Sequence, residues 1–431
     1  MPHFLQLAGS CRSRRTMSTN QPVDALLTTH EALFSERAAG IKQSAVRDVF
    51  ELSLNPSLVS LAGGNPYLQV LPLEKIGDIA KRIITEQGPV ALQYGSGLGT
   101  PELREQILEV MAAEGITNVS VDDVVVTNGS QSAQDMACKV FCNPGDTVLC
   151  EDPTYVGALN TFEAYQVKAA PVLTDEHGLV PEALRSKIHE LRAAGETIKF
   201  LYTIPNFNNP SGITLAAERR PQIVQICREE GVLILEDNPY GMLRYEGEAA
   251  PTLRSLDETN VIYMGSFSKI FSPGLRIGWA ALPTHLFRRF YLAGEAVALC
   301  PPTLNQMIIS SYLTEHDWRG QIQTYNDLYR SRRDAMLEAL AAHLPPGITH
   351  THPEGGFFIW LTLPAGIDTY ELLQKGVEAG VIFIPGAAFS SSESAHHKLR
   401  LAFCAVDEAT ITEGVRRLSA LLETEISKLA S

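Results

Sequence analysis

Short apolar runs alternate with segments of helical period from about residue 100 to 300. Val124-Val-Val-Thr127, Thr147-Val-Leu-Cys150, Phe200-Leu-Tyr-Thr203, Val232-Leu-Ile-Leu235 and Val261-Ile-Tyr-Met264 each read as a buried strand, most of them separated by helix-length stretches such as Ala217–Glu230. That alternation predicts parallel strands joined by right-handed crossovers. After Pro301-Pro302 the period becomes helical through about Leu344, and a smaller α+β segment then runs from Gly356 to a terminal helix over Ala409–Leu429. The fold class is therefore α/β, with a second, smaller domain. A domain boundary is expected within the long helical stretch.

Composition narrows the partners. Lys and Arg number 35 against 49 Asp and Glu, a net charge of −14, and no basic stripe stands out, which argues against nucleic acid. No apolar run approaches the ~18 to 20 residues of a spanning helix, so membrane insertion is not expected. Hydrophobic residues at 45% and charged residues at 19% describe a chain with a large core. Seven scattered cysteines without a C-x-x-C, and eleven histidines without H-E-x-x-H, indicate neither a metal site nor a disulfide framework. A reducing, cytoplasmic compartment is the simplest reading. Residues 1–16 hold three arginines and no acid, a composition that fits a targeting presequence as well as a disordered extension or an upstream start before Met17.

Parallel sheets carry chemistry in the loops beyond the carboxyl ends of their strands, and here those loops are rich in polar residues. The strand at Val261 runs into Gly265-Ser-Phe-Ser-Lys-Ile-Phe-Ser-Pro-Gly-Leu-Arg276, a lysine among small hydroxyl residues with an arginine seven positions on. The strand at Val124 delivers Gly129, Ser130 and Gln131 to a helix start, where free N–H groups suit a phosphate. Later strands lead to Glu151-Asp-Pro-Thr-Tyr155, Pro205-Asn-Phe-Asn-Asn-Pro-Ser-Gly212 and Glu236-Asp-Asn-Pro-Tyr240, and the small segment holds Lys398-Leu-Arg-Leu-Ala-Phe403. Each fragment alone is an ordinary turn. Six together, in the family's chain order, resemble the fold-type I pyridoxal-phosphate enzymes of the aspartate aminotransferase superfamily, and the resemblance spans about residues 40 to 405.

The resemblance, with the composition shift, implies an N-terminal extension and arm over 1–60 that forms part of the small domain, a large domain over 61–315 with a mainly parallel seven-stranded sheet between helices, a small C-terminal domain over 316–431, and pyridoxal 5'-phosphate as cofactor. It casts Lys269 as the amine that forms an imine with the cofactor aldehyde and then serves as general base, and Asp237 as the partner of the pyridine nitrogen. Tyr155 would stack on the ring, Asn209 and Tyr240 would meet its hydroxyl, and Gly129, Ser130, Gln131, Ser266, Ser268 and Arg276 would hold the phosphate. Arg400, with Asn209, would grip the substrate carboxylate. Gly40–Val49 and Ser60-Leu-Ala-Gly-Gly-Asn-Pro66 resemble the branch of kynurenine/2-aminoadipate, lysine-pathway and aromatic aminotransferases, which places Gly64 near the substrate and lets Arg47 meet an acidic side chain. A helix-surface role beside Asp48 and Glu51 accounts for Arg47 equally well. Tyr94, in the Gly95-x-Gly97-x-Gly99 run, corresponds to the family tyrosine that reaches the phosphate of a neighbouring subunit, which implies a homodimer with shared sites. Thr100 and Pro101 read as a plain helix start. Phe207 stands where the branch often has a small residue. The implied activity moves the amino group of an L-amino acid to a 2-oxo acid. A lyase or decarboxylase on the same fold, or a non-catalytic effector module, are the alternatives.

Overall fold

A computed structural model describes residues 30, 32–40, 49, 51–390 and 392–429. Met1–Ile41 and Lys42–Ser431 form two separate compact units. In the first, the short helix Glu36–Gly40 is described, with the Ala38 N–H donating to Ser35 Oγ at 3.2 Å. Everything below concerns the second.

Its strands are β1 (Val59–Ser60), β2 (Val124–Thr127), β3 (Thr147–Asp152), β4 (Lys168–Asp175), β5 (Gly178–Leu179), β6 (Ile198–Thr203) and β7 (Leu233–Asp237). They continue with β8 (Val261–Ser266), β9 (Gly278–Ala281), β10 (Thr349–His350), β11 (Phe358–Thr362), β12 (Val381–Ile382), β13 (Ile384–Pro385) and β14 (Lys398–Ala402). The large sheet has the order β2-β9-β8-β7-β6-β3-β4-β5. β4, β3, β6, β7 and β8 run parallel, and β9 is antiparallel to both β8 and β2, so β2 points the same way as the parallel set. Six carboxyl ends therefore open on one edge. Seven strands make up the body, and β5 adds two residues antiparallel to the end of β4. Nearly every residue of β2, β3, β6, β7 and β8 is buried, as expected of strands covered by helices on both faces.

Two strands of this sheet carry little sequence signal. β9 reads Gly-Trp-Ala-Ala, and β4 contains Pro171, which lacks a ladder donor but sits where only β3 pairs across it. The long helical stretch after Pro302 is two helices, Thr303–Glu315 and Trp318–His343, broken at His316-Asp317, where Asp317 caps the second by accepting from the Gly320 N–H. Thr100 Oγ1 accepts from the Leu103 N–H at 3.4 Å ahead of the helix Pro101–Ala113, the plain start the sequence predicts.

A second sheet, β10-β11-β14-β13, is antiparallel throughout, and Arg400 lies on its inner strand β14, opposite Trp360 on one side and Ile384 on the other. β1 pairs in parallel with β12, and the chain beyond it is tied to β14 by the Ala402 N–H donating to Leu61 O at 2.7 Å. This tie carries Ala62–Asn65 to the large sheet's carboxyl edge. No described helix is long and apolar enough to cross a membrane.

Candidate active site

A cavity of about 290 Å³ opens at the edge where those strands end. Lys269, Asp237, Tyr155, Asn209, Tyr240, Ser130, Gln131, Ser266, Ser268, Arg276, Gly64 and Arg400 all line it, and Gly129 borders it through Arg276. Tyr94, expected at the phosphate of a neighbouring subunit, is 76% exposed and does not line this cavity, and Arg47 lies outside the described residues.

Lys269 leaves β8 in a loop folded on itself: the Ser268 N–H and the Ser266 hydroxyl join the two serines at 3.1 and 2.9 Å. Its Nζ donates to Gly64 O at 3.1 Å. Burial pulls the ammonium down to about 8, with Arg400 and Arg276 pushing the same way against Cys404 and Asp237. A sizeable fraction of the side chain is therefore a neutral amine near pH 7.5, the form a nucleophile or base requires.

Asp237 ends β7 and is fully buried. Tyr202 Oη and Gln134 Nε2 both donate to its Oδ2 at 2.7 Å, whereas its Oδ1 is buried with no partner. A buried carboxylate with one oxygen saturated and the other open asks for a further donor or cation. Burial raises its pKa to about 6, against the two donors and Lys269, so it is mostly ionised at neutral pH.

One guanidinium stands at a helix start. Gly129, at φ +80°, precedes the helix Ser130–Phe141, and a Cβ there would lie 2.4 Å from Arg276 Nη2, so only glycine lets the arginine this close. Arg276 is itself left-handed at φ +54° and donates to Asn128 O at 3.0 Å. The free N–H groups of the helix start, the serine pair and Arg276 together suit a phosphate. Gln131 contributes chiefly through its backbone, because its Nε2 donates to Thr161 Oγ1 at 2.7 Å.

The second guanidinium is dry. Arg400 lies 4.2 Å from the ring centre of Phe358 and 4.8 Å from that of Phe389, donates from Nη1 to Asn209 Oδ1 at 2.8 Å and from Nη2 to Ala62 O at 2.7 Å, and leaves Nε unpaired. Burial lowers its pKa to about 10, which keeps it charged. The Phe358 ring also fixes Gly64, where a Cβ would come within 2.7 Å of it. Tyr155 heads the helix Val156–Ala164 with its ring against Gly157. Tyr240 packs edge-on to Phe357 and Phe358 at 5.4 and 5.9 Å.

Sequence reasoning missed Gln134 and Tyr202, the two donors to Asp237, and also Phe358, Phe389, Ile384 and Asn65. Phe207 turns away from the cavity: it is fully buried at φ +51° with its ring against Gly355 and Gly356 and under Arg244, so it does not touch a bound side chain.

A partly neutral amine, an open carboxylate oxygen in a buried wall, and two separate anion grips fit pyridoxal phosphate joined to an amino acid: aldehyde, ring nitrogen, phosphate and carboxylate each have a counterpart. No group of three or more metal-binding side chains occurs among the described residues. Comparison with known proteins agrees. The family model for aminotransferase class I and II matches residues 57–418. The aromatic-amino-acid aminotransferase 1 of Thermococcus litoralis is 39% identical over 409 residues, 95% of this chain and 98% of that protein. The 2-aminoadipate transaminase of Thermus thermophilus is 35% identical, covering 90% and 96%. Among solved structures, the kynurenine aminotransferase of Pyrococcus horikoshii in complex with PMP superposes with a TM-score of 0.88 at 38% identity, over 93% of this chain and 99% of that one.

Proposed function

The chain belongs to the class I and II aminotransferases and is a pyridoxal-phosphate-dependent enzyme, and from that premise we propose that it moves the amino group of a broad set of L-amino acids to a 2-oxo acid such as 2-oxoglutarate. The carrying observation is the convergence of Lys269 Nζ, the open Oδ1 of Asp237 and Arg400 on one cavity. Pyridoxal phosphate supplies an aldehyde for amine exchange and a ring that accepts electrons from the substrate carbon.

Lys269 would hold the cofactor aldehyde, and its Nζ is the group placed to move the proton at the substrate Cα. Asp237 Oδ1, buried without a partner, would hold the ring nitrogen and favour its protonated form, which a buried carboxylate does strongly. Gln134 and Tyr202 direct that choice by saturating Oδ2. Asn209 spends its Oδ1 on Arg400, so its Nδ2 is the donor left for the ring hydroxyl, beside Tyr240. Tyr155 would stack on the ring, and Ser130, Gln131, Ser266, Ser268 and Arg276 would hold the phosphate. Arg400 keeps three N–H donors beyond those already used, enough for a carboxylate.

Donor range follows from the rest of the lining. Among the described residues the cavity's cations are Lys269, Arg276 and Arg400, all engaged as above, and Ile204, Ile384 and Phe358 give it an apolar wall with Ser53 and Asn65 beside it. This supports aromatic and branched donors, with Arg47 as the residue on which acidic donors depend. Aromatic amino acids and 2-aminoadipate stand in the names of two relatives. A homodimer is supported by the exposed apolar residues Val90, Leu92 and Tyr94 and by Leu292, Val297 and Leu299 on and just after the helix Thr284–Ala298. The division at 60/61 and 315/316, and a cytoplasmic location in keeping with six unpaired cysteines among the described residues, belong to the same reading. A panel of aromatic, branched and acidic donors against 2-oxoglutarate and pyruvate tests it. Turnover confined to a single small donor would contradict a broad range.

A further inference from the structure

Glu151 is the next-to-last residue of β3, 3% exposed, and absent from the cavity wall. Its Oε1 accepts from Thr203 Oγ1 at 3.0 Å, and its Oε2 accepts from the Ile204 N–H and from Asn208 Nδ2, both at 2.9 Å. All three donors sit where β6, the parallel neighbour of β3, leaves the sheet and enters the turn through Gly212. Charge-assisted bonds to a carboxylate are the strong ones, and a buried carboxylate persists only when its lone pairs are met.

The turn it holds is a polar hub. Asn208 Oδ1 accepts from the Ser211 N–H and hydroxyl at 3.2 and 3.1 Å, and the Asn208 N–H and C=O bond to Ile213 O and the Gly212 N–H. Asn206 Nδ2 donates to Asn238 Oδ1 at 2.9 Å, beside Asp237. Asn209 accepts from Arg400 at 2.8 Å. Phe207, between these, is held at positive φ, a conformation that a bulky residue keeps only when its surroundings impose it. Asn208 is thus the link that joins the position of Asn209, and through it Arg400, to a buried carboxyl group on the neighbouring strand.

We propose that Glu151 is a positioning residue for substrate carboxylate binding: by clamping Asn208 and the end of β6 it fixes the Asn206–Gly212 turn so that Asn209 holds the Arg400 guanidinium in register. The inference rests on the reading of Arg400 as the carboxylate grip. An apolar residue at 151 strands three buried donors, and the turn must shift to reach other acceptors. Glutamine does not, because its oxygen can take the Ile204 and Asn208 donors while its amide faces Thr203, whose hydroxyl rotates to accept.

The test uses holoenzyme carrying Glu151→Leu, Glu151→Gln, Asn208→Ala or Arg400→Ala, with three readouts: kcat and KM for the amino donor, affinity for the amine-free carboxylate 3-phenylpropionate followed by cofactor absorbance, and thermal midpoint. A displaced turn predicts that E151L raises KM and the probe's Kd by about tenfold or more with a smaller loss of kcat, that N208A moves both in the same direction, and that E151Q stays within about threefold of wild type. A purely structural role for Glu151 would lower the midpoint of E151L and leave the probe's Kd alone, which overturns the proposal, as would an E151Q as damaged as E151L. If E151L does not fold, N208A decides: an unchanged Kd overturns it. The Arg400 variant separates the two levels. Probe affinity indifferent to Arg400 would sink the carboxylate-grip reading itself, whereas dependence on Arg400 without dependence on Glu151 sinks only this inference.

Discussion

Arg276 and Arg400 line the same cavity, one on a turn of the large sheet and the other on the inner strand of the small one, and they are held in contrasting ways. Arg276 is exposed, set by its own left-handed backbone and by the space that Gly129 leaves. Arg400 is 3% exposed, between two phenylalanine rings and bonded to Asn209 and Ala62. The first is a guanidinium positioned by backbone in contact with water, where the anion has further N–H partners. The second works where water is scarce, so each charge interaction is stronger and the loss of the cation is harder to replace.

Substitutions can break this contrast in order of size. Arg400→Ala should lower kcat/KM for amino donors by about a thousandfold, ~4 kcal/mol, since it removes a charge-assisted fork from a dry site, and more pyridoxal phosphate should not restore it. Steady-state kinetics at saturating cofactor checks this. Arg276→Ala should instead weaken cofactor binding by about ten- to a hundredfold, with most activity recovered at high cofactor concentration. Equal rescue of both variants would erase the distinction. Phe389→Leu, which removes one ring from Arg400, should raise the donor KM by about tenfold in line with a desolvated cation–π contact of ~1 to 2 kcal/mol, and should leave cofactor affinity unchanged.

The dry interior also sets a pH dependence. Glu114, bonded to Tyr263 Oη at 2.6 Å and Asn238 Nδ2 at 2.9 Å, is pushed by burial from 4.5 to about 7, with Glu236 adding to the rise and those two donors opposing it. Its folded-state pKa lies above the unfolded one, so the native protein binds more protons between about 4.5 and 7, and this group's contribution to stability is lost as pH rises through that window. Glu114→Gln should therefore gain on wild type in thermal midpoint between pH 5 and pH 8, by a few degrees at most. An unchanged difference across that range would show Glu114 ionised throughout.

The same contrast explains what the sequence made legible. Lys269, Asp237, Asn209 and Arg276 follow strong strands or turns in which few residue types serve, so their positions stand out one by one. Gln134 and Tyr202 act through Asp237 from the middle of a helix and a strand, where a polar residue among apolar ones carries no spacing signal. Phe358, Phe389 and Ile384 are ordinary core residues until β11 and β13 pair on either side of β14 and bring Phe358, Ile384 and, just beyond β13, Phe389 to Arg400. β9 and β4 escaped notice because small residues and Pro171 give no β-branched pattern, and sheet membership is imposed by their neighbours. The break at His316-Asp317 was not legible because a capping aspartate looks like any exposed acid inside a periodic stretch.

The central claim is that this cavity transfers an amino group rather than eliminating or decarboxylating. The direct measurement is a single half-reaction: holoenzyme mixed with an aromatic donor and no 2-oxo acid, with cofactor absorbance, released 2-oxo acid and ammonia followed together. Amino transfer gives one equivalent of the matching 2-oxo acid per site, conversion of the cofactor to its pyridoxamine form, no free ammonia, and recovery of the starting spectrum when 2-oxoglutarate is added. Continued turnover without an acceptor, with ammonia or carbon dioxide released, would contradict it.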